Sequence, residues 1–151
     1  GLYVNLAGRE RFGIVAAGER DRLLDELGER LLAWKDPANG ENVVARVYRR
    51  EQVYSARYRD LAPDVVVGYN RGYRVSNESA LGQAPAKLVD DNKNKWSGDH
   101  CIAAEEVPGV LLANRPLVRE DVSLLDIAPT VLHEFSIEIP REMAGKPFLA
   151  R

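Results

Sequence analysis

The hydrophobic positions change period along the chain, and each change marks an element. Leu2, Val4 and Leu6 alternate with Tyr3 and Asn5, the period of two expected of a strand. Ala7-Gly8 ends it. Leu23, Leu24, Leu27, Leu31 and Leu32 then follow the spacing of one helical face, which predicts a helix over residues 19–34. Glu26 and Arg30 sit four apart on its polar side, and Gly28 interrupts it. Asp36-Pro37-Ala38-Asn39-Gly40 is a turn cluster. Residues 43–48, rich in Val and Tyr, read as a strand. A charged segment with room for a short helix covers residues 49–60. Val65-Val66-Val67, introduced by Pro63-Asp64, is the most apolar run and suits a strand buried on both faces, as in a parallel sheet.

Residues 70–108 hold many Gly, Asn, Asp and Ser and are expected to be mostly irregular. A loop of that length within a compact domain is usually functional. Residues 109–113 read as another buried strand. Ser123 and Asp126 stand three apart, as in a capping box, at the start of a second helix whose wide apolar face is expected from Leu124, Leu125, Ile127, Ala128, Val131, Leu132 and Phe135. Pro129 is tolerated in a first turn, so the helix starts from either Ser123 or Asp126. Residues 141–151 read as a surface segment. Strands alternate with helices, which places the chain in the α/β class as a single domain over residues 1–151.

Composition narrows the options. With 21 basic and 23 acidic residues among 151, the formal charge is −2, which argues against a dedicated nucleic-acid binder. No stretch approaches the roughly 18 consecutive apolar residues of a membrane span, so no membrane partner is expected. The single Cys101 excludes an internal disulfide framework. The compartment stays open, with the cytoplasm favoured. The chain opens on Gly1 within a strand pattern, which leads us to expect a piece of a longer protein.

Candidate chemistry is sparse. There are two histidines, His100 and His133, and no nucleophile elbow, Walker A loop, dinucleotide fingerprint or zinc-spaced cysteine pair. Trp96-Ser97-Gly98-Asp99-His100-Cys101 is the most informative stretch, because a neutral imidazole beside Gly98 suits a metal ligand. Cys101 reads as a small loop residue; adjacency to a histidine does not make it a nucleophile. His133 is expected to face solvent. Arg71, directly after the buried Val run, is a candidate for bidentate contact with phosphate or carboxylate, and Lys93 and Lys95 add cations nearby in sequence. For each of these the plainer alternative is a solvated loop.

Four stretches together resemble a known group. They are Gly1-Leu2-Tyr3-Val4-Asn5-Leu6 with Gly8-Arg9-Glu10; Ala62-Pro63-Asp64-Val65-Val66-Val67-Gly68 with Asn70-Arg71-Gly72-Tyr73; Lys95-Trp96-Ser97-Gly98-Asp99-His100 with Pro108-Gly109-Val110-Leu111; and Ser123 through Leu132. In this order they resemble the C-terminal portion of the type I phosphodiesterase/nucleotide pyrophosphatase group, in the phosphohydrolase/phosphomutase branch of the alkaline phosphatase superfamily. The resemblance implies part of a central sheet flanked by helices, with a long functional loop. It implies a parent that is a metal-dependent phosphoric-ester hydrolase using two divalent ions, zinc or manganese, on a phosphorylated small molecule. His100 becomes the last metal ligand in chain order, with Asp99 its neighbour, and Arg71 and Lys95 the anion contacts. The superfamily's nucleophile and other metal ligands precede the motifs present here, so the chain alone is expected to be inert and to hold no metal. Its partner would be the missing N-terminal portion of the same protein, and its exposed apolar surface would favour self-association in isolation. Two alternatives remain: a phosphomutase as the parent, and a free-standing, non-catalytic α/β binding or interaction domain.

Overall fold

The computed structural model describes residues 1–150 apart from Ala56, Leu81, Ala84, Pro85, Ser97, Asp99, His100 and Cys101, and describes Ser79 and Ala80 by backbone only. Residue contacts group into two compact units, Gly1–Pro108 and Gly109–Arg151. Helices and strands mix, so the α/β class holds. The named sheet has two strands, β1 (Val44–Arg49) and β2 (Val65–Tyr69). The helices of the first unit are α1 (Arg20–Ala33), α2 (Arg50–Val53) and α3 (Asn77–Ala80).

The strands pair antiparallel, with Val47 opposite Val67 and Arg49 opposite Val65, and the register shifts between Val44 and Arg46. The parallel arrangement expected for the Val run is thereby corrected. The burial expected on both faces is met in part: Val65 is fully buried, while Val66 and Val67 are half-buried. β2 has β1 on one edge, while its other edge meets Leu2 at Val65 and Ile102 at Tyr69. An apolar run signals burial and does not by itself fix strand direction.

The opening strand is also corrected. Leu2 exchanges two backbone hydrogen bonds with Val65, at 2.8 and 3.2 Å, but pairing stops there. The next inward N–H, that of Val4, donates to the Asp64 carboxylate at 2.8 Å and so leaves the ladder. The chain turns, and Leu6 makes an isolated parallel bridge with Val15.

Helix α1 follows its period. Leu24 is buried, and Leu27, Gly28 and Leu31 continue the same stripe half-buried, whereas Leu23 and Leu32 are exposed. The stripe spaced i, i+3, i+4, i+7 faces inward, and leucines one position off it do not. Leu24 meets Val4 and Val65 in a small core flanked by Leu6, Val15, Val47 and Val67.

In the second unit, residues 109–113 form no strand. Val110 and Leu112 are 87% and 90% exposed, so the apolar run expected to be buried lies open. A short apolar run becomes a strand only where a neighbouring backbone satisfies its N–H and C=O groups. Helix α4 (Ile127–Glu134) begins after a 3₁₀ turn at Leu124–Asp126, with Pro129 in its first turn, where no intrahelical donor is needed. The buried Asp126 carboxylate accepts from Ser123 N–H at 2.7 Å, Ser123 Oγ at 3.1 Å and Lys146 N–H at 2.7 Å, and pairs with Arg119. These bonds, the Lys146 amide first, hold its carboxyl down at about 2. The C-terminal residues are not a loose surface segment. Phe148 is buried, its N–H donates to Thr130 Oγ1, and its carbonyl accepts from Val118. Among the described residues no helix is long and apolar enough to cross a membrane.

Candidate anion-binding site

The carboxyl end of β2 opens onto a surface depression of about 520 Å³, lined by Lys35, Gly40, Glu41, Asn42, Asn70 and Arg71. Two turns build it. The first follows α1: Gly40 N–H donates to Asp36 carbonyl at 2.8 Å, and Asp36 Oδ1 accepts from Ala38 N–H at 2.8 Å. The second follows β2: Tyr73 N–H donates to Asn70 carbonyl at 3.1 Å. Gly40 and Gly72 close these turns at φ of +75° and +87°, a backbone region that favours glycine.

Side chains tie the turns together. Tyr73 donates its hydroxyl to Asp36 Oδ2 at 2.9 Å and accepts from Asn39 Nδ2 at 3.2 Å. Asn70 donates its side-chain amide to Asn42 carbonyl at 2.9 Å and its N–H to Val43 carbonyl at 3.0 Å. Contact with Asn39 pulls the Tyr73 phenol down, while burial and the Asp36 carboxylate push it up, and the balance lies above its ordinary value. Asp36 itself is buried. The result is a fixed frame carrying two exposed cations, Lys35 and Arg71, against one carboxylate, Glu41.

Arg71, directly after β2, lines this depression. Its partner in the depression is Lys35, which sequence reading passed over. Lys35 directly precedes the Asp36–Gly40 turn cluster, but nothing local shows that this turn meets the loop after β2. Lys95 is exposed and does not line the depression. His100, the expected metal ligand, lies outside the described residues, as do Asp99 and Cys101. Among the described residues of that stretch, the Gly98 carbonyl accepts from Arg74 Nη1 at 3.4 Å and the Trp96 carbonyl from Asn92 Nδ2 at 3.4 Å. His133 is half-buried rather than open to solvent. Among the described residues no group of three His, Cys, Asp or Glu could hold a metal ion.

A second depression, of about 450 Å³, is lined by Arg20, Asp21, Asp25, Arg49, Glu51 and Gln52. Its charges satisfy one another: Arg49 meets Asp25 at 2.6 Å and Arg20 meets Glu51 at 3.0 Å. It offers an anion nothing in excess.

Beneath it lies a buried acid to which the resemblance assigned no role. The Asp64 carboxylate is fully buried and accepts from Arg9 at 2.7 and 3.0 Å, Arg20 at 3.0 Å and Val4 N–H at 2.8 Å. Burial pushes this carboxyl up, but the bonds from Arg9, Val4 and Arg20 outweigh that and hold it well below the usual carboxylate range. The signal available in sequence was an acid heading an apolar strand, a position that demands a partner.

Comparison with known proteins gives one partial similarity. A 64-residue stretch, 42% of the chain, is 41% identical to a 2,3-bisphosphoglycerate-independent phosphoglycerate mutase of Pseudomonas savastanoi pv. phaseolicola (strain 1448A / Race 6). The stretch amounts to 12% of that protein's length. No protein-family model and no solved structure matches the chain. The similarity is to a mutase, and so favours the phosphomutase alternative over the hydrolase first expected.

Proposed function

We propose that the chain is one portion of a larger metal-dependent phosphoryl-transfer protein of the alkaline phosphatase superfamily, and that the whole protein is a phosphomutase. The observation that carries this reading is the 41% identity to a phosphoglycerate mutase over 64 residues. It agrees with the order of the four motif stretches, of which the Ser-Gly-Asp-His loop and the Asp-Ile-Ala-Pro-Thr helix start are the most specific. In this reading His100 supplies one ligand to a divalent ion, zinc or manganese. The nucleophile and the other ligands come from elsewhere in the whole protein, and the chain alone is inert. Arg71, with Lys95 as the second contact expected from the resemblance, meets a phosphorylated small molecule.

Hydrolase and mutase share a first step and differ in the second. In both, an enzyme oxygen takes the phosphoryl group as the ester P–O bond breaks. A hydrolase then passes it to water and releases inorganic phosphate. A mutase passes it to another hydroxyl of the substrate, so the total of phosphate ester is unchanged. Expression of the complete coding sequence, loading with Mn²⁺ or Zn²⁺ and ³¹P NMR on a phosphoglycerate separates them. The expected result is one ester resonance replaced by another, with no growth of inorganic phosphate and with loss of activity in His100→Ala. Growth of inorganic phosphate would return the hydrolase reading. A metal-loaded protein that moves no phosphoryl group would overturn both.

A further inference from the structure

We propose that Lys35 and Arg71 together form a binding site for a phosphate dianion, free or as the terminal group of a small ester, with Tyr73 as the positioning residue. The choice of ligand rests on the phosphoryl-transfer reading; the site itself rests on geometry.

Three observations carry it. First, two cations share one depression with a single carboxylate, so the lining has an excess positive charge. Second, among the described residues the Arg71 guanidinium has no ion-pair or hydrogen-bond partner; its recorded bond is from its own backbone N–H to Asn70 Oδ1. Elsewhere in the first unit Arg9, Arg20, Arg30, Arg49 and Arg50 each face a carboxylate. Lys35 donates to the Gly40 carbonyl at 3.2 Å, which leaves ammonium hydrogens for a ligand. Third, the two cations sit on facing turns that are cross-linked, not on independent loops. Tyr73 to Asp36 and Asn70 to Asn42 fix the span before any ligand arrives. A held span lowers the ordering cost of binding. A guanidinium fork suits two phosphate oxygens and an ammonium a third.

Tyr73 is assigned a positioning role because its hydroxyl reaches Asp36 and Asn39, not the depression. Removing that hydroxyl deletes neither cation but releases the turn that follows Lys35.

The test is a ¹⁵N-HSQC titration of the 151-residue chain with inorganic phosphate and with glycerol 3-phosphate, at ionic strength held constant with chloride. Saturable shifts are expected at the amides of residues 40–42 and 70–72. Arg71→Ala and Lys35→Ala should each weaken binding by about tenfold, the loss of one charge-assisted contact. Arg71→Lys should restore part of the loss, and Arg30→Ala, on the polar side of α1 and paired with Glu26, should leave affinity unchanged. Tyr73→Phe should weaken binding while the shifts of β1 and β2 stay put, a pattern that general unfolding would not give. Equal affinity for the two probes assigns the site to the phosphate group itself, and tighter ester binding assigns it to the ester. Absence of saturable shifts, equal shifts with chloride, or undiminished binding by both alanine variants would overturn the proposal. Phosphate binding here without phosphoryl transfer by the complete protein would sink the functional reading and spare the site; transfer without binding here would do the reverse.

Discussion

The Asp64 carboxylate and the Arg9 guanidinium, 55 residues apart in the chain, meet end to end, with two terminal nitrogens on two oxygens at 2.7 and 3.0 Å. The acid is fully buried and the base is 22% exposed. Arg20 joins from α1, and Arg50 lies 3.8 Å away at the start of α2. One carboxylate thus ties the opening segment, the longest helix, and the strand ends together. Removing one partner of such a network leaves the rest partly buried and uncompensated. Asp64→Ala is expected to destabilise the first unit by about 3 kcal/mol, read as a fall in the urea midpoint of β1–β2 amide signals. Arg9→Ala should cost less, because Arg20 and Val4 N–H still satisfy the acid. Equal losses in the two variants would show that Asp64 is not the hub.

The same acid sets a pH dependence. A carboxyl held below its unfolded value contributes stability that is present above about pH 4 and lost as pH falls through the folded value. Asp64 and Asp126 are both depressed, Asp126 to about 2. The urea midpoint should therefore stay flat between neutrality and about pH 5, then fall steadily below about pH 4. In Asp64→Asn that acid slope should shrink in the first unit and persist in the second.

Gly28 lies on the inward stripe of α1, yet a methyl there would come no closer than 3.7 Å, to Val47 Cγ1. That is ordinary contact distance, so the helix carries a glycine its packing does not require. Gly28→Ala should stabilise the first unit by about 0.5–1 kcal/mol through helix propensity and a less free unfolded chain. A lowered unfolding midpoint would mean that the helix–strand contact cannot take the methyl.

Helix α4 ends in a Schellman turn: Ile137 N–H donates to Leu132 carbonyl at 2.9 Å and Ser136 N–H to His133 carbonyl at 3.1 Å. The turn puts Ser136 at φ +55°, the left-handed region where a side chain is strained. Ser136→Gly should raise the stability of the second unit by about 0.5–1 kcal/mol. Slower exchange of the Ile137 amide is the direct readout, and unchanged exchange would refute it.

What could be read from sequence was what short windows encode. The leucine stripe of α1, the Val run of β2, the turn at residues 36–40 and the start of α4 each follow from periodicity or turn chemistry within about a dozen residues. The place of Arg71 directly after a Val-rich strand follows for the same reason; that it binds an anion is a proposal.

The rest depended on which distant segments meet. Strand direction, the loss of the opening strand to the Asp64 carboxylate and the anchoring of Phe148 on Thr130 are outcomes of contacts across the chain. So is the placement of Lys35 and Arg71 around one depression, where the turn after α1 and the loop after β2 are tied by Tyr73 and Asn70. Local patterning determines which residues seek burial or a turn. Only tertiary structure decides which partner a buried charge or an unpaired N–H finds, because that choice is made by packing at long sequence separation.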